Sequence, residues 1–174
     1  LMLLLGMQMV GVEIPPSIVR SAQDLAAQLD KALPGIIEGR SHFVFLGSGS
    51  LYGIALEGAL KLMEMSQIVT QGFHPLEYRH GPISLVDDGT AVVMLYSADQ
   101  KTAETLLVDE LQQKGATVIG FGGPGDLELT VDCDPALAGL CVLPALQVLG
   151  ERAAQAKGVD TVSPRHLTQV VMLG

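Results

Sequence analysis

Residues 42–66 read HFVFLGSGSLYGIALEGALKLMEMS and predict a strand, a loop and a helix in direct succession. Phe43–Leu46 is a continuous apolar run, Gly47–Ser50 is a loop of small residues, and the helix extends from about Leu51 to Met65. A strand that enters a helix through a Gly/Ser loop is typical of the anion- or sugar-binding corner of an α/β sheet. The rest of the chain is interpreted around this unit.

The predicted helix carries its charges in one narrow stripe, formed by Glu57, Lys61 and Glu64. At 100° per residue these three side chains lie within about 60° of arc. A helix that is apolar on nearly all other sides is normally buried. We therefore expect the stripe to face a cleft. The alternative is a solvated row of ion pairs, the commoner role of charges with this spacing.

Composition limits the classes of partner. The chain has 174 residues, enough for one domain with its own core, and a net charge of −9 without a basic stripe. That charge argues against nucleic acid or an anionic membrane surface as a partner. Its two cysteines, Cys133 and Cys141, lack the spacing of a zinc site. We predict no metal site, no disulfide scaffold and a cytoplasmic location.

The first residues, LMLLLGMQMVGVEIPP, form an apolar segment with no obvious targeting role. About ten apolar residues are too few for a membrane span, which needs about 20. The segment also lacks the basic start and the cleavage site of a signal peptide. Because the first residue is leucine, we expect a fragment whose first helix belongs to a longer chain; a cloning artefact is the alternative. We assign residues 1–36 to N-terminal helices and residues 37–174 to the main domain with its C-terminal tail.

Strand-like and helical runs alternate along the remaining sequence. Further strands are predicted at residues 67–72, 91–96, 116–121 and 127–131, and further helices at 17–33, 102–114 and 140–157. Pro34-Gly35 is expected to stop the first of these helices, and residues 73–82 are expected to be irregular. Continuous apolar strands separated by helices predict an α/β fold with a parallel sheet covered on both faces.

Two groups outside the stripe could also carry chemistry. The Gly47–Ser50 loop allows a ligand to approach the backbone and the free N–H groups of a helix start, although a tight turn with serine caps explains it equally well. It is not a dinucleotide fingerprint, because Tyr52 occupies the third glycine position. His80 lies in a polar loop and could move a proton, for instance to open a sugar ring, or it could simply be exposed. His42 and His74 are interpreted as structural.

Three segments together resemble the SIS (sugar isomerase) domain family: GSGSLYGIALEGALKLMEMS at 47–66, EYRHGPISLVDDG at 77–89 and LPALQVLGERAAQAKGVDTVSPRHL at 143–167. The similarity covers roughly residues 43–171 and is greatest to the second of the paired SIS domains in amino-sugar-phosphate aminotransferases, deaminases and isomerases. It implies a three-layer αβα sandwich with a flavodoxin-like, five-stranded parallel sheet.

The resemblance also implies roles for individual residues. Glu64 matches the base that moves a proton between C1 and C2 of a hexose 6-phosphate such as fructose 6-phosphate or glucosamine 6-phosphate. Lys61 matches a lysine on the same helical turn, and His80 matches a ring-opening histidine supplied by a neighbouring subunit. Substrate binding is assigned to Ser48, Gly49, Ser50, Glu57, Glu77, Arg165 and Gln169. The implied partners are the sugar phosphate, an upstream SIS domain of the same enzyme and a second subunit of a homodimer, with no cofactor.

The sequence departs from the family pattern at one residue, and two alternative roles of the chain are left open. Gln169 stands where the aminotransferases of the family have a lysine, which favours a deaminase or isomerase. The serines and threonines that bind phosphate in the first SIS domain of such enzymes are not in this chain. The chain could instead be a regulatory module that binds a sugar phosphate without converting it, or only one half of a dimer.

Overall fold

A computed structural model describes residue 11 and residues 13–161 of the chain. The strands are β1 His42–Gly47, β2 Val69–Phe73, β3 Thr90–Leu95, β4 Thr117–Phe121 and β5 Leu127–Leu129. The helices are α1 Ser17–Ala32, α2 Pro34–Ile37, α3 Ser50–Ser66, α4 Pro75–Tyr78, α5 Lys101–Gln113 and α6 Ala138–Lys157. Two short 3₁₀ turns, Pro82–Leu85 and Pro135–Leu137, complete the described part.

The five strands form one parallel sheet in the order β2-β1-β3-β4-β5. This confirms the predicted fold class, since the order is that of flavodoxin-like sheets. The chain leaves β1 toward β2 and then crosses back to β3 on the other side of β1. The point at which the direction of winding changes therefore lies between β1 and β3. Ligands of open α/β sheets bind at the carboxyl ends of the strands flanking such a point.

Helices cover both faces of the sheet, so the fold has three layers. Helices α1, α3 and α6 pack on the face that includes Phe43 and Phe45, whereas α5 and the segment around α4 pack on the face that includes Val44 and Leu46. The alternation along β1 follows from the two-residue period of a strand. All four of these side chains are fully buried, which explains why β1 reads as a continuous apolar run.

Helix α1 belongs to the same core as the sheet. Its side chains Ile18, Leu25 and Leu29 are buried against the strands and α6. Arg152 of α6 forms an ion pair with Asp30 at 2.5 Å, which ties the two helices together at their edge. The boundary placed after residue 36 stays a prediction.

Several local predictions were wrong in detail. Pro34 does not end the helical region but begins α2, because Leu33 keeps helical geometry and joins the two helices. Strand β2 begins at Val69 because Gln67, with φ 55°, ends α3 in the left-handed conformation. Residues 73–82 are not irregular, since Nδ1 of His74 accepts a hydrogen bond from the Leu76 N–H and caps helix α4.

One described segment, Pro135–Lys157, is long and apolar enough to cross a membrane by length and composition. In this fold it includes α6, which packs against α1 and α3 and buries side chains such as Val142, Leu146 and Leu149. A core helix meets the same criteria as a membrane span. The apolar character of this helix is explained by its place in the core.

Candidate functional site

A cavity of about 560 Å³ lies at the carboxyl ends of β1, β3 and β4. The loop Ser48–Ser50 after β1 and residues Ser97–Lys101 after β3 form part of its wall. It therefore occupies the point where the winding of the sheet reverses. Its volume falls in the range of small-molecule binding sites. The structure thus brings the predicted binding residues Ser48, Gly49 and Ser50 together on the wall of one cavity.

Two glycines give the loop its shape. A Cβ atom on Gly47 would lie 2.5 Å from the carbonyl oxygen of Leu51, so only glycine allows the helix to start this close to the strand. Gly49 has φ 57° and ψ −126°, a conformation that side chains rarely adopt. The first turn of α3 then begins at Ser50 and directs its N-terminus toward the cavity, where the helix dipole is positive.

A buried carboxylate lies behind two of the serines in the cavity wall, Ser48 and Ser97. Glu104 of α5 is only 2 % exposed. Its Oε1 atom accepts hydrogen bonds from the hydroxyls of Ser48 at 2.7 Å and Ser97 at 3.2 Å. Its Oε2 atom accepts a third bond, at 2.9 Å, from the backbone N–H of Ser97. These three donors satisfy the carboxylate and connect the ends of β1 and β3.

The remaining cavity wall is part polar and part apolar. Leu95, Phe121 and Val142 supply apolar surface, while Asp99, Lys101 and His74 supply polar groups. The Lys101 ammonium donates to the carbonyl of Gly122 at 2.6 Å.

Two titratable groups beside the cavity have raised pKa values. The hydroxyl of Tyr96 donates to the carbonyl of Pro124, and burial raises the pKa of Tyr96 to about 12. Burial and the neighbouring Cys141 raise the pKa of the Cys133 thiol, also in the wall, to about 12.

The charged stripe of α3 lies outside this cavity. Lys61 forms an ion pair with Glu64 at 2.9 Å and a longer one with Glu57 at 3.9 Å. The hydrogen bond that the Lys61 ammonium donates to Glu64 raises the pKa of Lys61, against the opposing effect of burial. The side chains of Lys61, Glu57 and Glu64 are 35 %, 41 % and 38 % exposed. Within the described part of the chain, the stripe is therefore partly buried and partly open to solvent.

The expected burial of α3 is wrong for one of its faces. Leu56, Leu60 and Met63 are 42 %, 41 % and 44 % exposed, and Tyr52 lies on the same side of the helix. On a helical wheel this apolar face adjoins the charged stripe.

The stripe is also far from the cavity along the helix. Glu64 follows Ser50 by 14 residues, which at 1.5 Å per residue places Glu64 about 21 Å from Ser50 along the helix axis. The stripe and the cavity are therefore two separate places in one chain.

The polar segment after β2 is held against α5. Arg79 forms an ion pair with Glu110 at 3.0 Å. Its neighbours Glu77 and His80 are exposed, and the His80 N–H donates to the carbonyl of Glu77. Neither Glu77 nor His80 lines the cavity described above. Arg165 and Gln169 lie outside the described residues.

Sequence reasoning missed several polar residues in or behind the cavity wall, among them Glu104, Ser97 and His74. Glu104 shares one helical face with Leu107, Val108 and Leu111, and an acid in such an apolar row is a recognisable sign of a buried, bonded carboxylate. Ser97 directly follows the strand-like run, a position that predicts the carboxyl edge of the sheet. His74, interpreted as structural, both caps α4 and lines the cavity. Among residues 13–161, no cluster of three or more His, Cys, Asp or Glu could hold a metal ion.

Comparisons with known proteins agree with this arrangement. The SIS domain family model matches residues 36–134. The glutamine–fructose-6-phosphate aminotransferase (isomerizing) of Methanosarcina acetivorans is 38 % identical over 148 residues, which are 79 % of this chain and 24 % of that protein. The enzyme of the same name from Symbiobacterium thermophilum is 32 % identical over 175 residues, 92 % of this chain and 28 % of that one.

A solved structure is similar over almost the whole chain. The crystal structure of glucosamine-6-phosphate deaminase from Thermotoga maritima has a TM-score of 0.83 and 34 % identity, over 97 % of this chain and 53 % of that one. The chain thus spans about a quarter of the length of the curated relatives and about half of the deaminase chain.

Proposed function

Because the chain belongs to the SIS domain family, we propose that it is the C-terminal SIS domain of an enzyme that converts amino-sugar phosphates. The reaction is aldose–ketose isomerisation coupled to amination or deamination, with fructose 6-phosphate and glucosamine 6-phosphate as the substrate pair. The observation that carries the proposal is the Lys61–Glu64 pair, 2.9 Å apart and beside an apolar face that residues 13–161 leave exposed. Relatives named as aminotransferase and deaminase support the same class of chemistry.

In this proposal Glu64 is the general base. Its carboxylate removes the proton from one of C1 and C2 of the open-chain sugar, and the C–H electron pair forms a C1–C2 double bond. As this bond forms, the π electrons of the carbonyl or imine move onto its oxygen or nitrogen, which takes up a proton, and an enol or enamine results. The first proton then returns from Glu64 to the other carbon, while the hydroxyl on the carbon that lost it gives up its own proton and becomes the new carbonyl. Lys61 holds the carboxylate in place through their hydrogen bond, and Glu57 on the neighbouring turn contacts the substrate.

A second polypeptide unit completes the site in this proposal. The side chains of Leu56, Leu60 and Met63 form an exposed apolar face next to the stripe. Packing of an upstream SIS domain against this face would remove water from around Glu64 and supply the missing sugar contacts. The exposed residues Glu77 and His80 serve the site of a neighbouring subunit in a homodimer, where His80 transfers the proton that opens the sugar ring.

Further parts of the proposal concern residues and properties beyond the described structure. Arg165 and Gln169 of the C-terminal tail contact the sugar, and Gln169 favours deamination or isomerisation. The enzyme works in the cytoplasm, in keeping with the metabolic role named for its relatives.

The direct test of the catalytic role is Glu64→Gln in the full-length protein. The amide cannot accept the proton, so kcat for the interconversion of fructose 6-phosphate and glucosamine 6-phosphate should fall about a thousandfold, with KM nearly unchanged. Asp24→Asn on the exposed side of α1 removes one charge far from the stripe and serves as the matched control. Equal turnover by Glu64→Gln and Asp24→Asn would remove Glu64 from the mechanism.

The cavity favours a second candidate function, the binding of a sugar-like ligand without conversion. Its position at the winding reversal and its wall of serines are typical of a binding site, and about 21 Å of helix separate Ser50 from Glu64. In this role the chain senses a carbohydrate derivative. Spectral shifts at the amides of Ser50 and Ser97 on adding such a ligand, without product formation, would support it.

A further inference from the structure

We propose that the cavity beside Ser48 and Ser97 binds the hydroxyl groups of a neutral polyhydroxy compound and rejects phosphate. The inference rests on the binding function proposed above for this cavity and adds the chemical class of the ligand. It does not depend on the catalytic role of Glu64. Its basis is the direction in which the hydroxyl protons of the two serines are held.

Glu104 fixes that direction. A carboxylate only accepts hydrogen bonds, so the hydroxyl protons of Ser48 and Ser97 must point at its Oε1 atom. Ser97 Oγ already accepts a hydrogen bond from the backbone N–H of Gln100. Ser48 therefore presents its oxygen lone pairs, and Ser97 its one remaining lone pair, to any group on the other side. A sugar hydroxyl can donate to those lone pairs. The oxygens of a phosphate dianion are themselves acceptors and would be repelled.

The charges around the cavity also disfavour the binding of a phosphate group. Among the described residues, its wall contains one cation, Lys101, and one carboxylate, Asp99, with Glu104 directly behind two of the serines. The single positive side chain is thus outnumbered by two negative ones, and its ammonium already donates to Gly122. The positive end of the α3 dipole favours a nearby anion, but the Glu104 carboxylate, bonded to Ser48, already supplies one. A phosphate dianion would add to an excess of negative charge.

The apolar part of the wall fits the carbon skeleton of such a compound. Leu95, Phe121 and Val142 line the same cavity as its polar groups. A polyol or sugar presents C–H groups on one side and hydroxyls on the other, and it matches both kinds of wall. The volume of about 560 Å³ accommodates a six-carbon compound.

Glu104→Gln should reverse the preference. The backbone N–H of Ser97 cannot turn, so the amide oxygen must take the place of Oε2 and accept from it. The amide nitrogen then takes the place of Oε1 and donates to both serine hydroxyls. Their protons are released toward the cavity, and the negative charge behind them is removed. The variant wall donates hydrogen bonds where the native wall accepts them.

The experiment compares D-glucitol with D-glucitol 6-phosphate, which differ only in the phosphate and have no carbonyl to react. Binding is measured by calorimetry and by ¹H–¹⁵N spectra of the 174-residue chain, in which the amides of Gly49, Ser50 and Ser97 report on this cavity. The native chain should bind glucitol at least about tenfold more tightly than the phosphate ester, the scale of one charged hydrogen bond. Glu104→Gln should invert that order, whereas the control Asp109→Asn on the exposed side of α5 should not.

The outcomes separate the inference from the function on which it rests. Tighter binding of the phosphate ester to the native chain, with shifts at Gly49, Ser50 and Ser97, would overturn the inference and leave the binding function standing. No shift at these amides with either compound would overturn both. The comparison on the native chain stands by itself, so a Glu104→Gln variant that fails to fold does not remove the test.

Discussion

Charge lies in opposite environments at the loop before helix α3 and in the second half of that helix. In the loop, Ser48 donates to the carboxylate of Glu104 on α5, which is buried and accepts three hydrogen bonds from its own chain. About 21 Å further along, Lys61 and Glu64 form a pair with more than a third of each side chain exposed. A buried charge must be satisfied to be tolerated. The first arrangement is complete within one chain, whereas the second leaves room for groups from elsewhere.

The difference indicates how one helix could contribute to both of the proposed sites. The N-terminal part depends on close packing, because Gly47 must let Leu51 approach the strand. The middle part is built as a surface, with a row of apolar side chains beside a row of charges. Contiguous exposed apolar patches on folded domains are typical of contacts with another polypeptide, which is why this face supports the proposal.

Removing the buried carboxylate should have the largest effect on stability. Glu104→Ala leaves the hydroxyl of Ser48 and both donors of Ser97 without their buried acceptor, and we expect the free energy of unfolding to fall by about 3 kcal/mol. Glu64→Ala removes a half-exposed charge and should cost less than about 0.5 kcal/mol. Urea unfolding of the two variants measures the difference directly. Equal losses would contradict the contrast between the two parts of α3.

Adding one methyl group on each side of α3 should give effects of opposite sign. A Cβ atom on Gly58 would lie 2.7 Å from Cδ1 of Leu146 and 2.9 Å from Cδ1 of Phe45. Gly58→Ala should therefore lower the free energy of unfolding by about 2 kcal/mol. Gly53 has nothing within 4 Å of the corresponding position, so Gly53→Ala should raise that free energy by about 0.5–1 kcal/mol through helix propensity.

In the full-length protein, Gly53→Ala also tests whether another domain covers this side of α3. Gly53 lies on the helical wheel between the apolar face and the charged stripe. If another domain packs there, Gly53→Ala should lose its stabilising effect when the full-length protein is measured by thermal unfolding. A gain that stays unchanged would indicate that this side of α3 remains uncovered.

The smallest effect concerns the pH dependence of the Lys61 pair. Glu64 raises the pKa of Lys61 above its ordinary value of 10.5, so the pair stabilises the fold below that pH and loses its effect as pH rises through the raised pKa. Because the pair is partly exposed, Lys61→Met should cost no more than about 0.5 kcal/mol at pH 8. Urea unfolding at pH 8 and pH 12 should show that this cost disappears at the higher pH. A cost that grows with pH has the wrong sign for this explanation.

Much of the fold could be predicted because it depends on local patterns. The apolar run Phe43–Leu46 and the loop Gly47–Ser50 specify a strand and the start of a helix by composition alone. The order of the strands follows from the family resemblance and is confirmed by the parallel sheet. The location of Ser48 and Ser50 on a cavity wall follows from the rule for carboxyl ends of parallel strands.

The rest depends on contacts that a single sequence does not reveal. Leu56, Leu60 and Met63 read like core residues, because apolar side chains have the same spacing whether their own chain or another one covers them. The partnership of Glu104 with Ser48 joins residues 56 positions apart, and its only local sign is an acid in an apolar row. Similarly, His74 acts as a cap only because the short helix α4 follows it. The two prolines of this segment led to the prediction of an irregular structure instead of a helix.

The central claim is that the stripe on α3 is one half of a site whose other half comes from outside the chain. The most direct measurement mixes two inactive variants of the full-length protein, Glu64→Gln and His80→Ala, under conditions that exchange subunits. If Glu64 of one subunit works with His80 of its neighbour, half of the sites in mixed dimers are intact, and activity should return to about a quarter of the native value. If the mixture stays as inactive as its components, the site is not shared between subunits and the account is wrong.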